Sequence, residues 1–268
     1  MSALVSEWSF HKGGRADGIP VLFLHGFMGA GGDWTTIISG LEDIIYGLAP
    51  DLPGHGTTRA DLSRLDLDSL ADVLAEFAVV HFARPPVLAG YSMGGRVALY
   101  TALKHPESFS SLILASTTAG IADEPEREKR LLLDRARGEK LRASGLQAFL
   151  SEWYRQPIFE SLRQRPEVAE SMAREKSDND VESLAQVIVR LSPGRQPSLW
   201  AELSRWEKPA LVIAGERDDQ YCRLARQMAA LFPRAELRII PDAGHLVHRE
   251  NPIDFAAALK LFIAAYIL

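Results

Sequence analysis

Short runs of branched and apolar residues recur along this chain, each bounded by turn residues and followed by a stretch with helical spacing. Residues 20–24 (PVLFL), 44–49, 86–90 (PVLAG) and 111–115 (SLILA) read as strands, and 65–82 and 94–104 as helices between them. From 121 to 205 the rhythm stops. That stretch is charged and helical in texture, with Pro157, Pro166, Pro193 and Pro197 as punctuation. The alternation then resumes with strand 209–214, helix 221–232, strand 236–240 and helix 252–266. Strands alternating with helices imply a mostly parallel central sheet with helices on both faces, an α/β fold. The expected organisation is one discontinuous core, 1–120 plus 206–268, interrupted by a helical cap at 121–205 that lies over the strand ends.

Composition narrows what such a fold is for. The 268 residues are 47% hydrophobic and 24% charged, as in an ordinary globular protein. The net charge of −5 carries no basic footprint of the kind nucleic acid requires. The cap holds 15 of the 30 Lys and Arg and 15 of the 35 Asp and Glu, so it is neutral and the core carries the whole excess. No apolar run approaches the ~20 residues of a spanning helix. The first twelve residues, with Glu7 and His11, do not read as a signal peptide. Cys222 is the only cysteine, which excludes an intrachain disulfide and reads as a structural or surface thiol. A cytoplasmic location is the expectation.

The chemistry begins at Gly90-Tyr91-Ser92-Met93-Gly94, a G-x-S-x-G pattern between a strand and a helix. Its glycines permit a tight turn that lifts the Ser92 hydroxyl over the sheet. The helix that follows aims backbone N–H groups at developing negative charge. A serine needs a base, and the base an orienting acid, in the chain order Ser, Asp or Glu, His. Asp218, in GERDD after a strand, is the expected orienter, with Asp219 the alternative; His245, in DAGH after the next strand, is the expected base. The backbone N–H groups of Phe27, in the HGFMG run after the first strand, and of Met93 would form an oxyanion hole. Phe27 and Tyr91 would then wall the pocket. His25 reads as a structural residue beneath that loop. His11, His81 and His105 read as surface residues, while His55 and His248 lie in loops.

The motifs HGFMG, DLPGHG, GYSMGG, GERD and AGH resemble those of the α/β-hydrolase superfamily over nearly the whole chain. A narrower resemblance lies in GYSMGGR (90–96), EREKR with Arg127 and Arg130, WYRQPIFESL (153–162), GERDDQY and AGHLVHRENP. Together these are similar to the menaquinone-pathway family of 2-succinyl-6-hydroxy-2,4-cyclohexadiene-1-carboxylate (SHCHC) synthases. The resemblance implies an α/β-hydrolase fold and a lyase that eliminates pyruvate from a cyclohexene ring carrying several carboxylates. The serine, deprotonated by His245, would act as a base, and no cofactor would be needed.

A multi-carboxylate substrate needs fixed cations. Arg96 lies four residues past Ser92, on the same helix face, and could serve it or a structural salt bridge. Arg127 and Arg130 share a helix face, and Arg130 could instead pair with Asp134. Their placement makes Tyr91 and Arg96 expected substrate contacts; the resemblance adds Arg130, Trp153 and Phe159, and leaves Tyr154 open. Lys176 aligns without a gap with a further basic residue of the family, although Arg174 is the better chemical match for a carboxylate clamp. Two other functions compete: a serine hydrolase, whether esterase or carbon–carbon hydrolase, and a binding protein that signals through its cap.

Overall fold

The computed structural model describes residues 8–176 and 179–267. The start of the segment read for a signal peptide, and Ser177 and Asp178 beside Lys176, lie outside the described residues. Strands β1 (Phe10–Gly14), β2 (Ile19–Leu24), β3 (Ile45–Pro50), β4 (Val87–Tyr91), β5 (Ser111–Ala115), β6 (Ala210–Gly215) and β7 (Ala235–Ile240) form one sheet in the order β1-β3-β2-β4-β5-β6-β7. All neighbours are parallel except β1, which runs antiparallel to β3. The sequence reading had no strand before residue 20. FHKGG offers no apolar run, because β1 is an edge strand held by backbone pairing to β3 and not by burial.

Helices α1 (Thr35–Gly40), α2 (Leu67–His81), α3 (Met93–Lys104), α4 (Glu124–Trp153), α5 (Pro166–Glu175), α6 (Val181–Arg190), α7 (Asp219–Leu231), α8 (Val247–Glu250) and α9 (Pro252–Tyr266) complete the order. Side chains of a strand alternate between its faces, and here each face has its own cover. Leu22, Leu24, Leu88, Leu112 and Val212 meet residues of α2, α3 and α7 such as Leu74, Val97 and Met228. Val21, Phe23, Val87, Ile113 and Ile213 meet α1 and α9 through Ile37, Ile38, Phe255 and Phe262. This two-sided burial is why the central strands read as unbroken apolar runs.

Among the described residues no strand occurs between β5 and β6. There α4 changes direction at Gly145, whose backbone (φ 74°, ψ 170°) leaves the helical region for one that favours glycine. A third apolar cluster joins α4 to α6 through Leu141, Phe149, Leu150, Leu184 and Ile188, and it includes Met28 from the loop after β2. Helices α4 and α6 therefore pack directly onto the loop that leaves β2. Among the described residues no helix is long and apolar enough to cross a membrane.

Candidate active site

The carboxyl ends of β2, β4, β6 and β7 converge, and each delivers one piece of the site. Ser92 sits between β4 and α3 at φ 51° and ψ −110°, a conformation unfavourable for a residue with a side chain. The surroundings hold it there. Its N–H donates to Ala115 O at 2.9 Å, and its carbonyl accepts from Thr117 Oγ1 at 2.8 Å and from Arg96 N at 3.1 Å. The turn is so tight that a Cβ on Gly90 would come within 2.3 Å of Gly94 O, and one on Gly94 within 2.3 Å of Leu24 O.

Asp218 caps the N-terminus of α7, accepting from Tyr221 N at 3.0 Å through Oδ1. Its Oδ2 lies 2.9 Å from His245 Nδ1, and His245 Nε2 lies 3.1 Å from Ser92 Oγ. A carboxylate only accepts, so Nδ1 carries the hydrogen and Nε2 is free to take the proton of Ser92. Both Asp218 and His245 are buried, whereas Asp219 is exposed and reaches neither. The ring of Tyr221 lies 4.5 Å from that of His245, and the ring of Phe159 5.7 Å, so the imidazole sits in an aromatic setting.

Phe27 and Met93 face the same space as Ser92. Met93 is the first residue of α3, so its N–H has no acceptor within the helix. His25, below the loop, is fully engaged: Nε2 accepts from Leu52 N at 2.9 Å, and Nδ1 donates to Gly26 O at 2.8 Å. Burial lowers its pKa and keeps it neutral. His25 is therefore scaffold.

Ser92 stands between two cavities. The larger, about 560 Å³, is lined by Phe27, Ser92, Met93, Arg96, Arg130 and Trp153 among others. The smaller, about 40 Å³, is bounded by Tyr91, Phe159, Lys176, His248 and Arg249, with Phe27, Ser92 and Trp153 again at its edge. The residues singled out in the sequence thus divide into two lobes.

In the larger lobe Arg96 is 7% exposed. Its Nη1 donates to Gln196 Oε1 at 2.9 Å and its Nη2 to Leu191 O at 2.8 Å. Burial first, and then the like charge of Arg130, bring its pKa down to about 10; it stays charged at neutral pH. Arg130 lines the cavity and also donates to Asp134 at 2.8 Å, the pairing that the sequence offered. Arg127 turns instead toward Glu124 at 3.7 Å.

In the smaller lobe Lys176 is buried, 3.4 Å from Asp33. Arg174 is largely exposed and reaches Glu170 at 3.9 Å. Lys176 is the C-cap residue just past α5 and is buried, while Arg174, in the last turn of the helix, points away. Tyr154 belongs to this lobe, its ring 5.0 Å from that of Phe159.

Four contributors escaped the sequence reading. Asp33 and Arg249, both partly buried, form a charge network with the buried Lys176 and the exposed Glu175. Asn179 donates to Met28 O and accepts from Gly56 N, each at 3.1 Å, tying the insert to two loops at the strand ends. Gln196 holds Arg96. Arg249 could have been noticed, since it lies four residues after His245; the others are ordinary polar residues with no local signature.

Comparison with known proteins agrees with this architecture. Residues 21–258 match the model of the alpha/beta hydrolase family. The chain is 35% identical over 251 residues to 2-succinyl-6-hydroxy-2,4-cyclohexadiene-1-carboxylate synthase of Serratia proteamaculans, covering 93% of this chain and 95% of that protein. It is 31% identical over 267 residues to the chloroplastic protein PHYLLO of Arabidopsis thaliana, covering 94% of this chain but only 16% of that much longer protein. Among solved structures, MenH from S. aureus superposes with a TM-score of 0.92 at 29% identity, covering 97% of this chain and 98% of the other. The chain belongs to the alpha/beta hydrolase family and, within it, to the 2-succinyl-6-hydroxy-2,4-cyclohexadiene-1-carboxylate synthases.

Proposed function

We propose that this protein is the carbon–oxygen lyase of menaquinone biosynthesis that eliminates pyruvate from 2-succinyl-5-enolpyruvyl-6-hydroxy-3-cyclohexene-1-carboxylate, leaving 2-succinyl-6-hydroxy-2,4-cyclohexadiene-1-carboxylate. The observation that carries this reading is a buried arginine beside the serine whose hydrogen-bond acceptors are both uncharged. A pocket for neutral esters has no use for such a charge, which is expensive to bury without an anion. With Arg130 also on the wall and Asp134 the acid beside it, the larger lobe has a net positive lining that suits carboxylates.

In the proposed reaction Ser92 Oγ passes its proton to His245 Nε2 and removes a proton from the carbon next to the substrate's ketone. The electron pair moves onto the ketone oxygen, where the N–H groups of Phe27 and Met93 stabilise the negative charge. That pair returns to form a double bond between ring carbons 2 and 3, the existing 3,4 pair shifts to carbons 4 and 5, and the C–O bond from carbon 5 to the enolpyruvyl group breaks. The departing enolpyruvate takes a proton back from His245 and becomes pyruvate. No water is consumed and no acyl-enzyme forms. Asp218 orients His245 and stabilises its charged form.

Substrate contacts are assigned to Arg96 and Arg130 for carboxylates and to Tyr91, Trp153 and Phe159 for the ring and its arms. Lys176, whose charge is shared with Asp33, has a weaker part. We further assign 121–205 as a cap on a core made of 1–120 and 206–268, acting in the cytoplasm on a small multi-carboxylate molecule and not on nucleic acid. The test is pyruvate release from the enolpyruvyl cyclohexene substrate by the purified protein. Stoichiometric pyruvate supports the lyase; no pyruvate, with steady turnover of p-nitrophenyl esters, identifies a serine hydrolase instead.

A further inference from the structure

Arg96 is gripped from the insert by a segment that gives it hydrogen bonds and no charge. Its guanidinium donates to Gln196 Oε1 and to the Leu191 carbonyl, and among the described residues it forms no ion pair. Asp134, on the same cavity wall, is already committed: it accepts from Arg130 at 2.8 Å, Arg137 at 3.0 Å and Ser192 Oγ at 2.7 Å. A guanidinium has no acceptor, so the oxygen of the Gln196 amide must face Arg96 and its nitrogen must face away. Gln196 is fully buried, and that nitrogen has no hydrogen-bond partner among the described residues.

An orphaned buried donor beside a buried, unpaired cation is unfavourable on both counts. A glutamate of the same shape at position 196 would remove the orphan and neutralise Arg96. The amide does neither. We infer that Gln196 is a positioning residue that fixes the fork of Arg96 while leaving its charge available for a carboxylate of the substrate. This rests on the reading of the larger lobe as an anion site, and it goes further by naming the residue that keeps the site cationic.

The experiment compares wild type, Gln196→Glu and Gln196→Met. It reads KM and kcat for pyruvate release, affinity by calorimetry for phthalate and for dimethyl phthalate as an uncharged probe of the same shape, and Tm. Gln196→Glu is expected to raise KM and to weaken phthalate binding by about 10- to 100-fold, the range a charge-assisted hydrogen bond is worth. That loss exceeds the loss in affinity for dimethyl phthalate at least tenfold, and Tm holds or rises as Arg96 gains a partner. Gln196→Met keeps the charge but releases the fork, so affinity falls by a smaller factor, roughly 3- to 10-fold. Phthalate affinity and KM within twofold of wild type in a folded Gln196→Glu would overturn the inference. If the glutamate variant does not fold, wild-type affinity in Gln196→Met does the same. A wild type that binds phthalate but releases no pyruvate removes the lyase reading alone; one that does neither removes both.

Discussion

The two lobes beside Ser92 each hold a buried cation, and they treat it in opposite ways. In the larger lobe Arg96 meets only a neutral amide and a backbone carbonyl. In the smaller one Lys176 lies against Asp33, which also draws Arg249, itself held by Glu175 at 2.8 Å. One charge is kept available and the other is consumed within the protein. The contrast distinguishes a binding group from a strut. Burial and positive charge alone do not identify an anion site; the charge of the partners decides.

The largest expected effect ignores the contrast, because Ser92 borders both lobes. Ser92→Ala should lower kcat at least about 1000-fold while a carboxylate ligand still binds. A variant that kept a tenth of the activity would mean that the base acts without the serine. Next comes the pair that breaks or sharpens the comparison directly. Arg96→Ala should lower kcat/KM for the anionic substrate by about 30- to 1000-fold, the loss expected when a buried charge partner is removed. Lys176→Ala should lower it less, about 3- to 10-fold, and should reduce Tm, because among the described residues Asp33 then keeps one ion pair, with Arg249 at 3.9 Å. Equal losses in kcat/KM with equal Tm values would show that the two cations serve the substrate alike.

Reading the sequence went furthest where function and fold share one local signal. Ser92 and Asp218 follow strands with unbroken apolar runs, His245 follows the mixed strand AELRII, and the glycines around Ser92 are forced by contacts of 2.3 Å. These are properties of a few consecutive residues. The partners of the cations are not. Arg96 and Gln196 are 100 residues apart, and nothing in GRQPS marks a glutamine that meets α3. Arg174 and Lys176 differ by two positions, so the turn ending α5 sets which of them faces inward. Strand β1 escaped for the corresponding reason at the level of the fold. Its pairing is made by backbone groups, and its side chains carry no burial pattern to read.

The smallest effect belongs to the wall of the smaller lobe. The His248 ring is stacked 4.7 Å from Trp34 and lies 4.5 Å from Tyr91, and its Nδ1 has no partner among the described residues. Burial above all brings its pKa down from 6.5 to about 3; the nearby Asp33 opposes this, while Arg249, Lys176 and His245 add to it. The folded value lies below the unfolded one, so as pH falls the unfolded chain takes up this proton first. The contribution of His248 to stability is therefore complete above about pH 6.5 and declines between there and about pH 3. His25 and His55 are buried and lowered in the same direction, so they add to the same acid-side loss. His248→Gln, uncharged at every pH, should be less stable than wild type at pH 8 through poorer packing, and should close that gap as the pH is lowered toward 4. The slope it removes is at most one proton's worth, about 1.4 kcal/mol per pH unit. Activity at pH 8 should stay within about threefold of wild type, a change of well under 1 kcal/mol. Tm measured against pH for the two proteins decides it. Parallel curves would mean that His248 takes up its proton in the folded state near its ordinary pKa, and that the smaller lobe is wet enough to hold a charged imidazole.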